Sequence, residues 1–257
     1  MFKELCDLRK YYGAEGNLFV FRQEGGKKRH LAEFLFDNAS KKGELNKGMP
    51  VAEITAGNFG LALAKLCAKN KSRLYLVPIG KLDSKTLKRL KKFDVVLVEA
   101  VPKEGEKYWQ ALYRTLDETI ESQKAFSFKQ FENREQIDYY LNLFELFPDI
   151  TVDCCFDKMG CGATLAALHK KYPKAEMFFA TTNAINVDKE RYMLFDDGFF
   201  PQQIFPCDKK EYFENFEKVL DVLENIKNAP YAKLSLFCAL QYLKANKGKN
   251  AFVFIGD

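Results

Sequence analysis

Histidine is nearly absent from this sequence: 257 residues hold two, His30 and His169. The seven cysteines, at 6, 67, 154, 155, 161, 207 and 238, include no Cys-x-x-Cys pair. So few imidazoles and no paired thiols argue against a structural zinc site. An odd cysteine count without paired spacing argues against a disulfide framework. No apolar run reaches the roughly 20 residues that a membrane-spanning helix needs. The start, "MFKELCDLRKYY", lacks the apolar core of a signal peptide. A reducing cytoplasm is therefore the expected compartment, with no membrane partner. Nor is there a basic block: the net charge is +5, but Lys and Arg are scattered along the whole chain. That pattern is not a nucleic-acid stripe. Neither G-x-G-x-x-G nor the P-loop motif occurs.

What is present is an ordinary globular composition, 47% hydrophobic and 29% charged, enough to bury a core without staples. The first half alternates between two periods. "NLFVFRQ" (17–23) reads as a strand, and "HLAEFLFDNASKKG" as a helix with Leu31, Phe34, Leu35 and Asn38 on one side and Gly43 closing it. "PVAEI", "RLYLVPI" and "DVVLVEA" read as strands. "LALAKLCAKN" and "SKTLKRLKKF" read as the helices between them, the second with Ser84 as its cap. Such alternation predicts parallel strands with helices on the faces of the sheet.

"KYWQALYRTLDETIESQ" and "REQIDYYLNLFELF" are amphipathic helices flanking an extended "AFSFKQFEN". Further on, "ITVDCCFDKMG", "AEMFFATT" and "NAFVFIG" are strands, "LAALHKKY" and "AKLSLFCALQYLKA" are helices, and "GFFPQQIF" is a loop. "EYFENFEKVLDVLENIK" is a charged amphipathic helix. Trp109, Tyr108 and Tyr113 read as helix-face packing, and Cys154 and Cys155 as part of a buried strand.

Three strand-to-helix junctions carry unusual chemistry. In "GGKKRH", Lys27 and Lys28 stand at a helix start, where the positive end of the dipole suits a partly deprotonated amine. In "TAGNFG", Thr55, Gly57, Asn58 and several backbone N–H groups converge on the start of another helix, a nest for a carboxylate or phosphate. In "MGCGATLAAL", the small residues Gly160, Gly162, Ala163 and Thr164 open a third helix and allow an anion close to the backbone.

The order of these junctions resembles the fold type II family of pyridoxal-phosphate enzymes, and within it the cysteine synthase branch. That family runs from a Ser-x-Lys-Asp-Arg lysine motif to a Thr-Ser-Gly-Asn-Thr-Gly loop, then Asn-Gln-Phe-x-Asn, a Gly-Thr-Gly-Gly-Thr phosphate cup and Gly-x-x-Pro. Here the corresponding stretches are "GKKRHLAEFLFDNA", "TAGNFG", "KQFEN", "GCGAT" and "GFFP", spanning about residues 17 to 205.

The resemblance implies a role for each position. Lys27, two residues before Arg29, is the lysine that links covalently to pyridoxal 5'-phosphate; Lys28 is the alternative. Asn58 bonds the cofactor's ring oxygen. Thr55, Ala56 and Gly57 hold the substrate carboxylate, with Gln130 as a second clamp. Gly160, Cys161, Gly162, Ala163 and Thr164 form the phosphate cup.

The implied fold is α/β, with two mostly parallel three-layer lobes. The smaller, 36–126, is inserted into the larger, 1–35 with 127–257, and the cofactor lies in the cleft. The implied activity is β-elimination or β-replacement on a small amino acid, an O-activated serine plus a nucleophile such as sulfide, in a homodimer.

The chain also departs from the pattern. Ala56 and Phe59 stand where the family keeps Ser and Thr, and only Ser235 or Asp257 is near where a group faces the pyridine nitrogen. "EGGKKRHLAEFL" also resembles the entry of a sister branch of deaminases and desulfhydrases. A lyase of the same fold, or a degenerate relative acting as a binding module, are therefore the alternative readings.

Overall fold

The computed structural model describes residues 2–4, 13–23, 25–55, 57–158, 160–181, 203–206 and 230–256. These fall into two compact units, 1–27 with 134–257, and 28–133. The seams at 27/28 and 133/134 lie outside the 36–126 read from the sequence. The reason is local: Phe36 packs on Phe128 at 5.8 Å between ring centroids, and Val51 bridges Phe126. The first helix and the residues just after 126 therefore belong with the second unit's strands.

The first unit is built on a six-stranded sheet of β1 (Phe2–Glu4), β2 (Asn17–Gln23), β6 (Cys154–Lys158), β7 (Glu176–Thr181), β8 (Gln203–Pro206) and β9 (Asn250–Gly256). The strand order is β1-β2-β9-β6-β7-β8. β1 runs antiparallel to β2, and the other pairings are parallel. Residues 203–205, read from the sequence as the end of a loop, belong with Pro206 to the edge strand β8 along β7. Their Gln-Ile-Phe-Pro pattern is too short to signal a strand by alternation alone.

Alternation sorts this sheet into two faces. Leu18 and Val20 of β2, Cys154 and Phe156 of β6, and Ala251, Val253 and Ile255 of β9 join one buried cluster with α7 (Pro230–Ala245). The intervening residues face the opposite way. Phe252 and Phe254 meet Phe144 of α5 (Glu135–Glu145) edge-on, and Phe254 also meets Tyr140. α6 (Ala163–Lys171) packs against α5. The result is three layers. A ring such as Phe252, wholly buried, contributes about 3–5 kcal/mol by the cost of its truncation to Ala.

The second unit has a parallel sheet β3-β4-β5: β3 (Val51–Thr55), β4 (Leu74–Pro78) and β5 (Val95–Leu97). α2 (Asn58–Asn70) and α4 (Tyr108–Gln123) pack on β3 and β4. α1 (Lys27–Lys41) buries Leu31, Ala32, Leu35, Phe36 and Ala39; Phe36 rather than Phe34 turns inward. α3 (Ser84–Leu90) is capped by Asp83, not by Ser84. The Asp83 carboxylate accepts from the Thr86 N–H at 2.9 Å and the Thr86 hydroxyl at 2.6 Å, which places the cap one residue earlier. Trp109 stands edge-on to Phe131 at 5.6 Å, as expected for packing. No helix among the described residues is long and apolar enough to cross a membrane.

Candidate active site

In the first unit the chemistry gathers at the carboxyl end of β6. Strand alternation puts Cys154 and Phe156 toward α7, so Asp157 turns to the α5 face. Lys27, the first residue of α1, reaches it: Nζ lies 2.6 Å from Asp157 Oδ2, and the two side chains are 15% and 13% exposed. The same ammonium lies 4.7 Å from the Phe254 ring centroid and 5.4 Å from that of Tyr140, within cation–π range. Asp157 Oδ1 accepts from the Lys158 N–H at 2.8 Å. Burial raises the Tyr140 hydroxyl well above its usual range, with the charges of Cys161, Asp157 and Tyr139 adding to that.

Three residues beyond Asp157 the chain turns into α6. Gly162 is its N-cap with φ 82°, a left-handed backbone that glycine adopts without strain. No side chain caps this end among the described residues. Ala163, Thr164 and Leu165 are buried, and the first N–H that closes a helical bond is that of Ala166, to Gly162 O at 3.0 Å. A helix end buried with its leading N–H groups uncapped is the arrangement that takes an anion. Cys161 Sγ donates to Gln136 Oε1 at 3.5 Å, so the cysteine is tied to α5. Ser235 is buried within α7; Asp257 and the "GFFP" stretch lie outside the described residues.

In the second unit Thr55 ends β3 fully buried. Its Oγ1 accepts from the N–H of Gly57 at 3.1 Å and of Gly60 at 3.0 Å. Thr55 thus fixes the shape of the loop. Gly60 is required there: a Cβ would lie 2.8 Å from Thr55 Cγ2 and 3.0 Å from Leu76 Cδ1. Gly57 is the buried N-cap of α2, and Asn58, the first helical residue, is exposed. Ala56 lies outside the described residues. Phe59 is buried, and Lys28 Nζ lies 5.9 Å from its ring centroid. The two candidate lysines therefore part company. Lys27 belongs with the strand that leads to the glycine turn 160–162, and Lys28 with the Asn58 loop.

Gln130 is buried, and its N–H donates to Glu53 Oε1 at 3.2 Å. Glu53 was not singled out from the sequence. It is 1% exposed, in a strand buried at all five positions. Oε1 also accepts from the Ile54 N–H at 3.1 Å, while Oε2 finds no donor among the described residues. Burial pushes this carboxyl up from its usual 4.5 to about 8, against the pull of its backbone hydrogen bonds. A charged residue inside an apolar five-residue strand was the available signal for Glu53. For Asp157 it was an acid at the carboxyl end of a parallel strand, directly before a glycine turn.

Burial pushes the Cys67 thiol up to about 12 and raises those of Cys154 and Cys155 as well. None of the three is a thiolate near neutral pH.

No family model matches the chain. Curated cysteine synthases do. That of Staphylococcus aureus (strain N315) is 25% identical over 163 residues, covering 60% of this chain and 51% of its own length. That of Buchnera aphidicola subsp. Schizaphis graminum is 28% identical over 144 residues, covering 54% and 44%. The chain thus spans about half the length of the curated relatives it matches.

Among solved structures, O-ureido-L-serine synthase superposes with a TM-score of 0.78 at 19% identity, over 100% of this chain and 88% of the other. The fold is cysteine synthase-like. An O-acetylserine dependent cystathionine beta-synthase from Helicobacter pylori follows it with a TM-score of 0.77 at 16% identity, over 100% and 92%. A hydrogen sulfide-producing enzyme from Fusobacterium nucleatum gives 0.73 at 20%, over 95% and 91%. The resemblance and the α/β fold read from the sequence agree with these comparisons.

Proposed function

We propose that the chain is a pyridoxal-phosphate enzyme that catalyses β-elimination or β-replacement on a small amino acid, an O-activated serine with a nucleophile such as sulfide. One observation carries this reading in a cysteine synthase-like fold. The Lys27 amine and the buried start of α6, which no side chain caps among the described residues, both stand where β6 ends.

The residues present fit the cofactor. The leading N–H groups of α6, with the turn 160–162 and Thr164, would hold its phosphate, since small residues admit the anion and the helix dipole favours it. Lys27 would carry it covalently. When bound, the cofactor supplies an electron sink for charge developing at the substrate's α-carbon. Lys27 Nζ would take the substrate's α-proton and hold it. Asn58, exposed at the head of α2, is the residue whose amide would bond the ring oxygen.

The substrate carboxylate would lie against the loop from Thr55 to Asn58. Thr55 contributes by fixing that loop rather than by its hydroxyl, which already accepts two N–H groups. Gln130 is the second clamp, placed by its bond to Glu53. Phe59 fills space where the family keeps a small Thr, and so shapes the pocket toward small side chains.

The test is turnover. Protein loaded with pyridoxal phosphate is offered O-acetylserine with and without sulfide. Cysteine formed only with sulfide supports replacement. Pyruvate and ammonia without a nucleophile would shift the reading to a lyase, and no product from either would overturn it.

A further inference from the structure

We propose that Asp157 is a positioning residue for Lys27: it holds the ammonium beside the turn 160–162 and keeps it charged, so that it sets the pH at which the amine becomes a nucleophile. This rests on the reading of Lys27 as the cofactor-linking lysine. Asp157 was not among the residues read from the sequence. In the cysteine synthase pattern the cup begins at Gly160, and the strand before it carries no assigned role.

Four observations meet here. The pair is close, 2.6 Å from Nζ to Oδ2. It is largely withdrawn from water, at 15% and 13% exposure, so screening by salt is weak. The carboxylate is itself anchored, because Oδ1 accepts the Lys158 N–H at 2.8 Å. And the ammonium is walled by the rings of Phe254 and Tyr140, whose faces also favour the cation.

A lysine held in this way is aimed but inert. Its lone pair is released when the Nζ–H bond breaks, the electron pair stays on nitrogen and the proton passes to water, while Asp157 stays a carboxylate. No oxidant or further reactant enters. The other titratable groups facing the pair are Tyr139 and Tyr140 on α5 and Cys161 in the turn before α6. In register beside Asp157, β7 presents Phe179, and β9 presents Phe254 to the Lys27 ammonium; neither titrates.

The pairing predicts a measurable basicity. An opposite charge at this distance favours the charged form by about one to three pH units. The unloaded protein is pulsed with acetic anhydride across a pH series, and acetylation at each lysine is read by mass spectrometry. Exposed Lys47 and Lys65 serve as internal references. In the unaltered protein Lys27 should reach half-reaction at a higher pH than the references. Asp157→Asn should lower that midpoint by about one pH unit or more, roughly tenfold in reactivity at fixed pH. Asp157→Glu should restore most of it.

The pH profile for uptake of pyridoxal phosphate, trapped with borohydride, should move with the acetylation profile. An unchanged Lys27 midpoint in Asp157→Asn would overturn the proposal. So would a Lys27 profile in the unaltered protein that coincides with Lys47, a comparison that needs no variant to fold. If the midpoint moves but no cofactor is taken up, the pairing stands and the proposed function falls. If cofactor loads on Lys27 and the midpoint is indifferent to Asp157, the pairing alone falls.

Discussion

Asp157 and Glu53 occupy matching places in the two units. Each lies in a parallel strand that feeds a glycine turn and then a helix, Asp157 next to the strand's last residue and Glu53 at its middle. Their fates are opposite. Asp157 meets a cation at 2.6 Å and keeps some contact with water. Glu53 is 1% exposed, accepts only backbone N–H groups among the described residues, and is pushed up to about 8. The strand-turn-helix frame does not decide the charge of an acid placed in it; the partner does. One unit thus holds a charged pair at its turn, and the other a carboxyl that stays protonated at neutral pH and ties the Gln130 segment to β3.

The largest break in that comparison comes from Lys27→Ala. It removes the cation from the first unit, so the visible band of lysine-bound pyridoxal phosphate should vanish from the absorption spectrum. Lys28→Ala, whose amine faces Phe59 in the other unit, should leave the band in place.

Glu53 is next. A carboxyl raised in the folded state binds its proton more tightly there than in the unfolded chain. Its contribution is full below about 4.5 and is lost as pH rises to about 8. Stability against urea should fall across that window by a few kcal/mol, since each tenfold difference in proton affinity between the folded and unfolded chain is worth about 1.4 kcal/mol. Glu53→Gln keeps the acceptor for Ile54 and Gln130 and cannot ionise. It should flatten the decline and be more stable than the unaltered protein above pH 8. An undiminished slope would show that another group carries it.

These two acids also mark how far the sequence could be read. Period and punctuation were enough for β2, which runs Asn17–Gln23 as expected, and for the βα alternation of both halves. The glycine turns were legible because small residues between a strand and a helix have few other uses. Partners were not legible. That Lys27 meets Asp157, 130 positions away, depends on the sheet order β9-β6, which no local pattern encodes. Glu53 was hidden by its neighbours: "VAEIT" reads as a buried strand, and the energetic problem of an acid inside it appears only once all five positions are seen to be buried. The cap of α3 fell to Asp83 because Asp and Ser are equally good caps in adjacent positions.

Smaller effects sharpen the contrast between the turns. Gly162→Ala forces a side chain into φ 82° at the head of α6. It should cost about 1–2 kcal/mol and weaken cofactor uptake, whereas Asp83→Ala in the second unit should cost about 1 kcal/mol and leave uptake alone. Both are read by urea titration alongside cofactor binding. Smallest of all, Arg29→Ala removes an exposed pair with Glu33 and should change stability by less than about 0.5 kcal/mol.

The most direct measurement is to load the protein with pyridoxal phosphate, reduce it with borohydride, digest it and locate the added mass. The account predicts the tag on Lys27 alone, within the peptide that opens α1. A tag on Lys28, or a protein that carries none, would contradict it.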